Sequence, residues 1–258
     1  MIKTMLKPPM LELVVELRFF SSESANFIVG TLEQIAKKNN FSNSINLGGS
    51  NIPEELKKQD PNLHYTPWIR IFHNNDKHIS CFIGAKSFSI SWTRDPLDDT
   101  DLFPGWSTKL SEPFLGILSN VIALKDSLDI SFDNVKYRTI DTFQEEDILE
   151  KSNFTVVLND ADLTKKEMTS TIMFKKTNAQ LTHNVVVSNS AKLVSQVNNA
   201  TFNGSLIDIT TDYVIKENDS IENIKTIIQL CHDENKQMFS SILKQDYAEQ
   251  RLGAEYAQ

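Results

Sequence analysis

The chain has 258 residues, 40% of them hydrophobic, enough to bury a substantial core in one large domain or two small ones. Its 26 Lys and Arg against 34 Asp and Glu leave a formal charge of −8, which argues against the dense cationic surface that sequence-independent nucleic-acid binding requires. Two cysteines outside any CxxC or Cys/His pattern, no signal-peptide core and no apolar run approaching about 18 residues predict a cytoplasmic protein without a disulfide or a membrane segment.

The first predicted element is a strand from about Leu11 to Phe19, opening after Pro8-Pro9 because proline cannot join a ladder. Leu11, Leu13, Val15, Leu17 and Phe19 take one face; Glu12, Val14, Glu16, Arg18 and Phe20 take the other. A helix over Ser24–Lys38 follows, with Phe27, Ile28, Leu32, Ile35 and Ala36 on one side. Residues 40–67, with Gly48-Gly49 and three prolines, read as the longest irregular stretch. WIRIFH (68–73) and HISCFIGA (78–85) flank the turn-prone Asn74-Asn75-Asp76-Lys77, and FSISW (88–92) completes a meander.

Beyond an acidic loop containing Asp95, Asp98, Asp99 and Asp101, apolar residues recur at helical spacing from Trp106 to Leu124. Pro113 interrupts that pattern, predicting a kink or a restart with Ser111 as N-cap. Residues 129–142, centred on NVKYRTID, predict another strand, and runs near 153–158, 168–176, 181–188, 193–197 and 205–215 predict more. The last element is a long helix over about Ser220–Tyr247, capped by Asp219 or Ser220, with the stripe Ile221, Ile224, Ile228, Cys231, Met238 and Ile242. The expected fold is α+β: mostly antiparallel meanders with about three helices packed on them. One domain over residues 1–258 is expected, open to a division into related halves of about 1–127 and 128–258.

The opening strand raises the main functional question, because two acids and an arginine share its second face. Neighbours on a face lie about 6.6–7 Å apart, so Glu16 and Arg18 can pair diagonally, and Arg138 is the natural partner for Glu12 or Glu16. Such charges suit a structural ion-pair network or a binding face. Glu12 and Glu16, about 13 Å apart by strand rise, are too distant for paired-carboxylate acid–base chemistry. The acidic loop lacks the spacing and central glycine of a calcium loop, and His73 and His78 lack a third metal ligand. His232 lies beside the apolar stripe of the last helix, where packing is the commoner role. Ser241-Ile-Leu-Lys244 spells S-x-x-K without its companion motifs. No catalytic residue, metal site or cofactor is predicted.

Pro8, Pro9, Glu12, Glu16, Arg18 and Phe19 fit a PPxxExxxExRF opening, and in this the chain resembles a sporadically distributed, uncharacterised family of bacterial proteins of about this length. Trp106, YRTID (137–141), LIDI (206–209) with Asp208, and His232 with Phe239 follow in the family's order. Two positions depart from it: Thr139 stands where the family has an aromatic residue, and Asp141 where it has Asn. The resemblance implies an accessory or antitoxin-like role in a defence or mobile-element region, beside a protein partner encoded nearby. The leading expectation is therefore a non-enzymatic binding or regulatory protein that contacts another protein or a second copy of itself. Its candidate residues are Glu12, Glu16, Arg18, Arg138, Asp208 and His232. The alternatives are a ligand sensor or enzyme with a pocket over Glu12, Glu16, Arg18 and Arg138, and nucleic-acid binding through Lys37-Lys38, Lys57-Lys58, Lys165-Lys166 and Lys175-Lys176.

Overall fold

A computed structural model describes residues 2–5, 8–96, 102–155, 157–158, 161–162, 169–195, 199–216 and 221–256. Asp98, Asp99 and Asp101 of the acidic loop, Lys165 and Lys166, and the predicted caps Asp219 and Ser220 lie outside the described residues. The chain opens with β1 (Ile2–Met5) and β2 (Met10–Ser21). In β2 strict alternation buries Leu13, Val15, Leu17 and Phe19 completely, while Glu12, Val14, Glu16 and Arg18 stay half-buried on the other face. Helix α1 (Ala25–Lys38) starts where the Ser24 hydroxyl accepts the Phe27 N–H at 3.4 Å, and it ends with Lys37 and Lys38 against the negative pole of the helix. Strand β3 (Phe41–Asn46), helix α2 (Glu54–Gln59) and strands β4 (Ile69–His73), β5 (Ile79–Ile83) and β6 (Ser87–Thr93) complete the first half.

A π-helical turn at Trp106–Leu110 runs into α3 (Ser111–Ile122), which leads to the long β7 (Ile130–Gln144). After the two-residue strands β8 (Val157–Leu158) and β9 (Ala161–Asp162) come β10 (Thr171–Asn178), β11 (Leu181–Val194) and β12 (Thr201–Val214). The chain closes with α4 (Ile221–Ile242), α5 (Gln245–Leu252) and β13 (Ala254–Tyr256), which pairs with β1. Nine strands form one antiparallel sheet in the order β10-β11-β12-β7-β2-β6-β5-β4-β3. The β2–β7 ladder at its centre joins the two halves of the chain.

The expected α+β arrangement of meanders with about three helices is overturned by this architecture. All the long strands enter a single sheet, and five α-helices occur among the described residues. Helix α2 adds one inside the stretch expected to be irregular: Pro53 precedes it, Glu54 and Glu55 occupy its first turn, and Lys57 and Lys58 its last, so charge favours a helix that buries nothing. The predicted terminal helix is two helices. Asn153 takes the carbonyls of Ser241 and Leu243 with its side chain and that of Ile242 with its backbone N–H, while Lys244 N–H bonds Lys151 O. The chain is thereby turned at Leu243 despite an uninterrupted helical pattern. Ser111 is no cap, because its N–H bonds Trp106 O and it continues a π turn into α3. The run at 181–188 and the start of the run at 193–197, Leu193 and Val194, belong to one bulged strand, β11. Gly48-Gly49 builds a tight turn: Gly48 has φ 74°, and a Cβ on Gly49 would stand 2.4 Å from the Pro67 carbonyl oxygen.

Helices α1, α3 and the first part of α4 bury their apolar residues in one cluster with Leu13, Val15, Leu17 and Phe19, so all three cover the same sheet face. The later turns of α4, with α5, form a second cluster around Phe143, Val185, Val187, Ile207 and Ile209. Helix α4 therefore spans the seam between the two cores. No helix among the described residues is long and apolar enough to cross a membrane.

Candidate functional site

Five of the six residues singled out in the sequence share the sheet face that the main helices leave uncovered. Arg138 is bound in a fork by Asp208, Nε to Oδ1 at 3.0 Å and Nη2 to Oδ2 at 2.6 Å, in place of the expected Glu12 or Glu16. The registers explain the choice: Arg138 stands opposite Val14 on β2 and Thr210 on β12, which leaves Asp208 on the diagonal. That bond also raises the arginine's pKa. Arg18 Nε donates to Glu16 at 2.7 Å, and the guanidinium lies 4.1 Å over the Tyr65 ring and reaches Asn62. Glu12 makes no ion pair among the described residues; burial pushes its carboxyl up, while Arg138 and Arg70 pull it down. Arg70 spends its Nε on Ser80 and lies over Phe72 and Phe82. The face thus pairs Arg138 with Asp208 and Arg18 with Glu16 and leaves Glu12 without an ion pair among the described residues.

His232 belongs to the opposite side, in a cavity of about 420 Å³ between α4 and β7. Its walls are built where the two cores meet: Tyr137, Thr139 and Asp141 from β7, His232, Asn235, Lys236 and Phe239 from α4, Phe103 to Trp106 from the preceding loop and π turn, and Met5 with Pro8 to Met10 from the N-terminal segment. Strand parity places the β7 residues there, since Val135, Tyr137, Thr139, Asp141 and Phe143 all point to the helix-covered side. Pro8-Pro9, Trp106, the alternate residues Tyr137, Thr139 and Asp141, His232 and Phe239, which are far apart along the chain, converge on this cavity.

Its polar groups divide into those that are satisfied and those that are not. Asn235 accepts the Thr139 hydroxyl at 2.9 Å and donates to Ile209 O at 3.0 Å, tying α4 to β7 and β12. Trp106 Nε1–H donates to Gln229 at 3.0 Å, and its ring stacks on His232 at 5.5 Å between centroids. His232 Nδ1 lies 2.9 Å from Asp233 Oδ1 and 3.3 Å from Gln229 Nε2; with the proton on Nδ1 for the shorter contact, since a carboxylate can only accept, the Nε2 lone pair is unused among the described residues. Burial lowers the pKa of this histidine, with Asp233 opposing. Tyr137, buried beneath Trp106, has no hydrogen-bond partner for its hydroxyl among the described residues; burial holds its pKa well above the usual range.

Asp141 is the anomaly. It is 3% exposed, lines the cavity and has no hydrogen bond or ion pair among the described residues. Burial pushes its pKa up to about 8, against the pull of Arg94. Sequence reading passed over Asp141 as a mere departure from a motif, although a carboxyl at the same parity as Tyr137 and Phe143 was the available signal.

The remaining candidates are occupied locally. His73 and His78 flank their turn and line a separate cavity of about 590 Å³ with Asp76. There His78 Nδ1 contacts Thr93 O at 2.9 Å, and Asp76 caps the His78 N–H. No cluster of three or more His, Cys, Asp or Glu suited to a metal occurs among the described residues. Lys175 and Lys176 lie on the edge strand β10, whereas Lys57 and Lys58 follow β3 at the opposite edge, eight strand spacings or roughly 38 Å away. No family model matches the chain, and no curated protein matches it either.

Proposed function

We propose that this is a non-enzymatic binding protein whose α4–β7 cavity holds a small, largely apolar molecule carrying a polar group. The observation that carries the reading is Asp141, a carboxyl buried to 3% exposure without a partner among the described residues, facing a cavity of about 420 Å³. A polar group left bare in the interior costs about 1–3 kcal/mol, so an unpartnered one at a cavity wall is best explained by a ligand that completes it. The volume lies within the roughly 300–1,000 Å³ of small-molecule sites, and apolar walls with a few polar groups are their usual composition. Binding is favoured over catalysis because no hydroxyl or thiol among the described residues is hydrogen-bonded to His232, so its free Nε2 has no nucleophile to activate. The paired charges of the open sheet face offer less, since each arginine there is already engaged.

The test is titration with neutral aromatic probes such as phenethyl alcohol and indole, followed by chemical-shift changes in the Trp106 indole. Saturable binding is expected in the wild type and should be lost in Ser107→Trp, which places bulk at an exposed position of the cavity wall. Binding that survives this substitution unchanged would put the probe somewhere else.

A further inference from the structure

We propose that the ligand is a small organic amine, bound as its cation against Asp141 and among the rings of Phe103, Trp106, Tyr137 and Phe239. This rests on the ligand-binding reading above and names its chemical class. The first argument is charge. The charged or titratable groups that face Asp141 are Tyr137 on its own strand, Asp208 across the sheet on β12, Arg94 beyond β6, and His232 and Lys236 on α4. Arg94 spends its Nε on Met10 O and forms no ion pair with Asp141, and Asp208 opposes ionisation. A cation in the cavity compensates Asp141 once it ionises, whereas an anion offers the carboxyl no counter-charge.

The second argument is the wall. Four aromatic rings line the same space as the carboxyl, and ring faces attract organic cations, the indole most strongly. The third is the match of hydrogen bonds. An ammonium offers donors only, and the cavity offers acceptors without internal partners among the described residues: the Asp141 carboxylate, His232 Nε2 and the Tyr137 oxygen. Since burial favours the protonated carboxyl, binding of a cation must displace that proton.

Phenethylamine and its neutral isostere phenethyl alcohol distinguish the possibilities, titrated calorimetrically into the full chain at pH 6, 7 and 8 in buffers of differing ionisation enthalpy. The expected result is at least tenfold tighter binding of the amine at pH 8, an affinity that falls about tenfold per pH unit below it with one proton released per amine bound, and alcohol binding that does not respond to pH. Asp141→Asn should equalise the two. Equal affinities in the wild type, or an amine preference that survives Asp141→Asn, would refute the amine while leaving the cavity intact. If neither compound binds, or both bind Ser107→Trp as they bind wild type, the cavity reading falls and the amine with it. Should Asp141→Asn fail to fold, the proton count and the pH series on the wild type decide alone.

Discussion

At the scale of single residues, the balance between desolvation and partners decides what each charge does. Asp208 holds Arg138 in a two-bond fork, which raises the arginine's pKa. Asp141 has no such partner and is pushed up to about 8. Since its folded pKa lies above the unfolded value, the native state holds the extra proton between about pH 4 and 8. Stability is therefore lost as pH rises through that window. Asp141→Asn removes the titration, so we expect the wild type, relative to the variant, to lose on the order of a few kcal/mol between pH 5 and 8 in urea unfolding. Parallel pH profiles for the two proteins would show that Asp141 does not titrate in this range.

At the scale of elements, α4 is positioned by one buried polar contact as well as by its apolar stripe. Asn235 is 2% exposed and sits where Ile228 and Cys231 give way to Met238 and Phe239, between the two cores. Its side chain accepts from Thr139 and donates to Ile209 O, so it sets the rotation of α4 over β7 and with it the direction of His232 and Phe239. Asn235→Leu keeps the branched arrangement of four side-chain heavy atoms but removes both hydrogen bonds. The expected cost is about 1–3 kcal/mol, read as a lower urea midpoint at unchanged slope. An unchanged midpoint would show that the apolar stripe alone docks the helix. The opposite end of α4 is governed by Asn153, whose capture of three terminal carbonyls overrides a sequence pattern that continues into α5.

At the scale of the whole molecule, one continuous sheet carries two cores on a single face. Cys81 on β5 and Cys231 on α4 are both free thiols, fully buried in the larger core. Burial pushes the Cys231 thiol up to about 12 and that of Cys81 well above its usual value. Neither thiolate forms near neutral pH in the folded chain, so a disulfide-exchange reagent should label both only as fast as the core opens, and at once in denaturant. Rapid labelling of either residue in native buffer would mean that the larger core opens readily around it.

Periodicity determined a good deal of this protein by itself. The two faces of β2, the helix-facing side of β7 and the stripe of α4 follow from side-chain direction, which repeats locally and is visible in any short window. Parity likewise places Asp141 on the covered side. Tertiary structure alone decided which strands became neighbours: the union of the halves through β2 and β7, the choice of Asp208 for Arg138, the break at Leu243, and the convergence of Pro8-Pro9, Trp106, Asp141 and His232 on one cavity. The reason is physical. Alternation tells each side chain which way to point, but which partner it meets depends on ladder register and chain reversal, set by contacts between residues far apart in sequence.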